Sequence, residues 1–172
     1  MVGRLDTYSI ATYNMLEVII SFVILPAHAY GGVAMTLVAE NQHKMTRKEL
    51  SKYPRTACMC SEILVAIIGL CIIFIPELLG IITDDADLIN QAAGILIIAV
   101  SIQLLNVVSQ IYKYTLQITE DERWVFRYSA IVMLMSCAVI GANLFVVGTG
   151  IVGVYAGVGV MYVALGGGYV YR

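Results

Sequence analysis

Polar side chains recur at helical spacing within stretches of this sequence that are otherwise apolar. Asn14, Glu17, Ser21 and His28 stand three, four and seven residues apart. At about 100° per residue they fall within about 60° of one another on a helix surface. Gln103, Asn106, Gln110 and Lys113 repeat with spacings of three, four and three, and Ser129, Ser136 and Asn143 keep a heptad. If these stretches lie in hydrocarbon, each stripe must face something other than lipid. Two readings fit the amides and hydroxyls: interhelical hydrogen bonds, worth about 0.6 kcal/mol each in a membrane, or the lining of a polar cavity by Asn14, Ser21, His28, Gln103, Asn106 and Gln110. Glu17 stands apart from them. An acid near the centre of a membrane helix costs about 3 kcal/mol on insertion scales, and we read it as a proton- or cation-coupling group. Lys113, near a helix end, is expected to snorkel to the headgroups. Thr83-Asp84-Asp85-Ala86-Asp87 lacks the spacing of a calcium loop and reads as a helix N-cap. Cys58, Cys60, Cys71 and Cys137 form no CxxC pair and have no neighbouring histidine, so no metal or disulfide framework is expected. No nucleophile, base and orienting group can be assembled from these spacings. The sequence therefore reads as neither an enzyme nor a cofactor carrier.

The elements that hold these stripes follow from composition. The 172 residues are 60% hydrophobic and 13% charged, with a mean hydropathy of +0.86. A soluble domain carries about twice that share of charge, so the chain belongs in a lipid bilayer. A net charge of −2 excludes a strongly basic nucleic-acid binder. Apolar stretches run over about 8–39, 57–82, 88–112, 124–147 and 151–170. Each is long enough to cross hydrocarbon as a helix. None has the alternation of a barrel strand. The expectation is a single all-α domain over 1–172, a polytopic bundle of five transmembrane helices. The first is too long for one straight crossing, and Pro26, followed by Gly31 and Gly32, predicts a break. Residues at the start lack the basic and small-residue pattern of a cleavable signal peptide.

Loop charges give a direction. His43, Lys44, Arg47, Lys48, Lys52 and Arg55 against Glu49 place the first loop in the cytoplasm, whereas Glu77, Asp84, Asp85 and Asp87 mark the opposite side. Lys113, Arg123, Arg127 and the final Arg172 keep the alternation, so the amino terminus, with Arg4 and Asp6, is expected outside and the carboxy terminus in the cytoplasm of a plasma (inner) membrane protein. Thr46-x-x-Glu49 and Thr119-x-x-Glu122 are capping boxes, predicting a short helix in the first loop and the start of span four. In span five, Gly150, Gly153, Gly157, Ala164 and Gly168 form a small-residue face for close helix packing. Tyr155, Tyr162 and Tyr169 line another face, to fill the bundle or border a cavity.

Three runs resemble one family. Gly32-Val-Ala-Met-Thr-Leu-Val-Ala-Glu-Asn-Gln, before the basic loop, is similar to the G-x-x-A-x-x-x-V-G-Q/N-x-L-G-A segment of multidrug and toxic compound extrusion (MATE) transporters. Leu116, Gln117, Asp121 and Arg123 match that family's L-R/Q-G-x-G-D-x-R loop. Gly150-Ile-Val-Gly-Val-Tyr-Ala-Gly157 looks like the opening of its last helix. The resemblance covers nearly the whole chain and corresponds to helices eight to twelve of twelve, the carboxy-terminal lobe. It implies a multidrug or metabolite antiporter of the MOP flippase superfamily, exchanging a small organic substrate, cationic or neutral, for H⁺ or Na⁺ by alternating access between two lobes. The missing amino-terminal lobe or another membrane chain would be the partner. Ala39, His43, Lys44, Ile118 and Glu120 depart from the family glycines, and span three offers Gln103, Asn106 and Gln110 where some members have an acid. These departures keep two alternatives open: a non-transporting membrane subunit or scaffold, and half of a lipid-linked precursor flippase.

Overall fold

The computed structural model describes residues 7–75, 79–80, 83–119, 121–148 and 150–172. Arg4, Asp6, Glu77, Glu120 and the predicted end of span two at Ile82 lie outside them. The described residues contain no strand. They form α1 (Thr7–Val23), α2 (Leu25–Asn41), α3 (Arg47–Leu50), α4 (Lys52–Phe74), α5 (Ala86–Ile118), α6 (Glu122–Ala142), a π-helical turn (Asn143–Val147) and α7 (Gly150–Tyr171). Four helical stretches are long and apolar enough to cross a membrane, and a fifth is the α1–α2 pair, bent by 40°.

That bend has a local cause. Pro26 lacks an amide donor and its ring clashes with the carbonyl four residues back, so a regular helix cannot pass through it. The chain turns at Ile24, and α2 restarts with Pro26 in its first turn. Gly31 and Gly32 take no part in the break. They remain helical within α2, and Gly31 is buried where the Tyr114 ring lies against it.

Helix α5 is the axis of the bundle, touching α1, α2, α4, α6 and α7. Its buried face includes Ala92, Leu96, Ala99, Val100, Gln103, Asn106 and Val107. Small residues set how closely the neighbours approach: the α5 residue Val100 packs on Gly69 of α4, and Ile102 and Val108 pack on Gly159 and Gly166 of α7. The small-residue face expected on α7 meets α6 instead, with Gly157 against Ile140 and Gly168 against Tyr128. Helix α7 thus has two close-packing faces, one for α5 and one for α6, and is wedged between them.

The stripe of span four also faces α7. The Ser129 hydroxyl lies 2.5 Å from the Tyr169 hydroxyl, Ser136 is buried, and the Asn143 amide donates to the Gly153 carbonyl at 3.3 Å. Interhelical hydrogen bonding accounts for Ser129 and Asn143. At the start of α5 Asp85 is the cap, accepting from the backbone amides of Asp87 (3.0 Å) and Leu88 (3.2 Å). The acidic cluster is a cap.

The two capping boxes differ. In the first, the Glu49 carboxylate accepts from the Thr46 amide at 2.9 Å and hydroxyl at 2.8 Å. These bonds hold its carboxyl below the usual range. A lowered folded-state pKa means that this cap supports α3 at neutral pH and that the support is lost as pH falls through the lowered value. The second expected box does not form. Helix α5 runs to Ile118, so Thr119 is used to close it, its hydroxyl donating to the Leu116 carbonyl at 3.2 Å. Asp121 takes the N-cap position of α6 without a side-chain capping bond.

Two adjacent glycines test the packing of α7. A methyl group at Gly168 would fall on the Tyr128 ring, whose hydroxyl donates to the Ala164 carbonyl at 2.6 Å, whereas one at Gly167 meets nothing within 4 Å. Gly168→Ala should lower stability in detergent by about 1–3 kcal/mol, the range for overpacking. Gly167→Ala should leave it unchanged or raise it by up to about 1 kcal/mol through helix propensity. Thermal unfolding of the two variants checks both.

Candidate functional site

The first polar stripe lies along one edge of α1 and continues across the bend into α2. The α1 face turned into the bundle carries Thr12, Met15, Leu16, Ile19, Ile20 and Val23. Asn14, Ser21 and His28 are exposed on the surface of this chain, and Glu17 is half-buried between the two faces. The Ser21 hydroxyl donates back to the Glu17 carbonyl at 2.8 Å. His28 hydrogen-bonds across the bundle with the Tyr114 hydroxyl, 3.0 Å from Nδ1, which ties α2 to α5 above the Gly31 contact.

Glu17 has aromatic company. Tyr13, one turn earlier, stacks obliquely on Tyr155 of α7, with ring centroids 6.1 Å apart and planes at 38°. The Glu17 carboxylate acts electrostatically on the hydroxyls of Tyr13, Tyr155 and Tyr162. Tyr155 is 2% exposed, and its hydroxyl has no hydrogen-bond partner among the described residues. A buried hydroxyl left unpaired costs about 1–3 kcal/mol. A carboxylate within electrostatic range of phenol groups can accept from a hydroxyl that reaches it, and the ring faces can attract a cation. On α7, the tyrosine stripe divides: Tyr155 faces α1, and Tyr169 packs with Trp124 and Tyr128 of α6.

The stripe on α5 is arranged differently. The Asn106 amide donates to the Gln103 side-chain oxygen at 2.9 Å, and Ser109 donates to the Asn106 carbonyl at 2.9 Å, with Asn106 Oδ1 3.2 Å away. Gln103, Asn106 and Ser109 are all buried, so these bonds stay within one helix. Gln110 and Lys113 are half-buried. A cavity of about 590 Å³ lies at the opposite end of the bundle from the Asp85 cap, and none of the eight residues of the two stripes lines it.

Two features escaped sequence reasoning. Glu62 is a second acid on a membrane helix, half-buried in α4 and close enough to act on Cys58. The signal is present in the sequence, a charge five residues into an apolar span. Tyr13 was also overlooked as a companion of Glu17, although the i, i+4 spacing places the two on one face. Thr12, fully buried, donates to the Gln91 side chain at 2.7 Å and fixes α1 against α5. No group of three or more histidine, cysteine, aspartate or glutamate side chains that could hold a metal ion occurs among the described residues.

The self-contained α5 network makes a quantitative prediction. A double-mutant cycle of Gln103→Leu and Asn106→Leu, read by unfolding in detergent, should give a coupling of about 0.6 kcal/mol, the average for a polar contact in a membrane protein. A coupling near zero would mean that each amide bonds elsewhere.

Neither a curated protein nor a solved structure matches the chain. The MatE family model does match it, over residues 1–142, a stretch running from the amino terminus through the whole of α6. With its helices long and apolar enough to span a bilayer, the chain is an integral membrane protein and belongs to the MatE family of membrane transporters.

Proposed function

We propose that this chain forms the carboxy-terminal lobe of a MATE-type antiporter that expels a small organic substrate in exchange for H⁺ or Na⁺. The observation that carries the reading is Glu17, an acid half-buried within a membrane helix and within electrostatic range of Tyr155, a buried tyrosine whose hydroxyl has no hydrogen-bond partner among the described residues. An acid at this depth in a membrane helix is suited to carry a proton or cation. Asn14, Ser21 and His28 give α1 and α2 a polar edge that does not suit lipid. It suits an aqueous cavity shared with the other lobe, in the arrangement by which two-repeat transporters alternate access. Gln103, Asn106 and Gln110 form a supporting stripe on the central helix. A second reading, a membrane subunit that keeps the fold without transporting, draws on the α5 amides satisfying each other.

In the assembled transporter, Glu17→Gln should abolish ion-driven efflux while leaving thermal unfolding close to that of the parent. Unchanged efflux would remove Glu17 from coupling. The proposed direction places the loop after α2 in the cytoplasm of the plasma membrane and the amino terminus outside. Cys58 is buried and a poor reporter of sidedness, so an exposed loop position serves better. Lys44→Cys should react with a membrane-impermeant thiol reagent only from the cytoplasmic side; labelling from outside would reverse the topology.

A further inference from the structure

The cavity of about 590 Å³ lies where the ends of α2, α4, α5 and α7 meet the short helix α3. Its size falls in the range of about 300–1,000 Å³ typical of small-molecule sites. We propose that it binds an anionic phospholipid, with the phosphate at a basic rim and an acyl chain along an apolar wall.

The rim carries His43, Arg47 and Arg172 against one acid, Asp121. That acid is already compensated, its Oδ1 lying 2.9 Å from Arg172 Nη2. Glu49, the carboxylate of the α3 turn, is occupied with the Thr46 amide and hydroxyl. Arg47 donates through Nη2 to the Arg172 main-chain oxygen. A guanidinium has five donors, so that contact leaves most of its fork for a phosphate, which it matches in geometry. Lys44, Lys48, Lys52 and Arg55 surround the same loop and add a positive field. Basic pockets between helix ends are where anionic headgroups bind.

The walls favour a lipid over free phosphate. Val38, Leu50, Pro54 and Leu116 are apolar, and at the mouth Met45, Val170 and Tyr171 are 40%, 52% and 94% exposed. A free anion would leave that apolar surface uncovered; an acyl chain would cover it.

The chain holds a reporter in place. Trp124 is its single tryptophan, and it touches two residues of the cavity lining, with the Tyr169 ring 6.3 Å away and the Arg172 guanidinium 5.8 Å from its ring. The test uses the full chain in nanodiscs containing either phosphatidylglycerol or phosphatidylcholine with brominated acyl chains, which quench tryptophan at close range. Brominated phosphatidylglycerol should quench Trp124 at about a fivefold lower mole fraction, the effect of about one charge–headgroup contact. Arg47→Gln should abolish that preference, and Lys48→Gln, outside the cavity lining, should retain it. An excess of inorganic phosphate should leave the preference intact. Equal quenching by the two lipids in the unmodified chain overturns the proposal without recourse to any variant. A preference that survives Arg47→Gln overturns it as well, and loss of the preference on adding inorganic phosphate overturns the lipid assignment in favour of a free anion.

Discussion

Between helices already in a bilayer the hydrophobic effect does little, because lipid tails are as apolar as leucine. What brings helices together is close approach of backbones and the need of polar groups for partners. In this chain both requirements converge on α5. Glycines on α4 and α7 let those helices approach it, Thr12 of α1 bonds to its Gln91, and Tyr114 of α5 reaches His28 on α2 while resting on Gly31. The polar residues of α5 itself, Gln103, Asn106 and Ser109, turn to one another. A satisfied stripe of this kind can stand at the centre of a bundle without demanding water.

The dependence on α5 explains what the sequence made legible. Apolar run lengths located the crossings, because only a helix satisfies every backbone group in hydrocarbon, and Pro26 foretold the bend because its ring permits no regular helix through it. The acidic cluster and the first capping box were readable for the same reason: their bonds are local in sequence. Partnership across the bundle was not readable. Helical periodicity shows that Glu17, Asn14 and Ser21 share a face but not what that face meets, and the same spacing on α5 proved to close on itself. Thr119 closes α5 instead of capping α6 because α5 extends further than its apolar run, with Leu116 of its last turn clustered with Val125 of α6 and Tyr169 of α7. On α7, the glycines facing α5 are interleaved with those facing α6, so one small-residue face was visible where two exist.

These two kinds of stripe separate support from function. The α5 amides are paired and buried, which suits a rigid centre. Glu17, Tyr13 and Tyr162 are only partly covered, and the hydroxyl of buried Tyr155 lacks a partner among the described residues, which suits a place where bound species change. The basic end of the bundle differs again, its cavity walled by the segments that bear the first two motifs shared with the family. Glu17 and the tyrosines near it, the α5 amides and the basic cavity thus occupy separate levels along the helices.

The most direct measurement concerns the two sides of α1. In a background without the four native cysteines, Glu17→Cys and Phe22→Cys can be exposed to a hydrophilic thiol reagent in the assembled transporter in membranes. Phe22 is 63% exposed on an apolar part of the helix and is expected to face lipid. The account predicts modification at position 17 and none at position 22. An unreactive position 17, or equal reaction at both, would contradict a hydrated coupling face around Glu17.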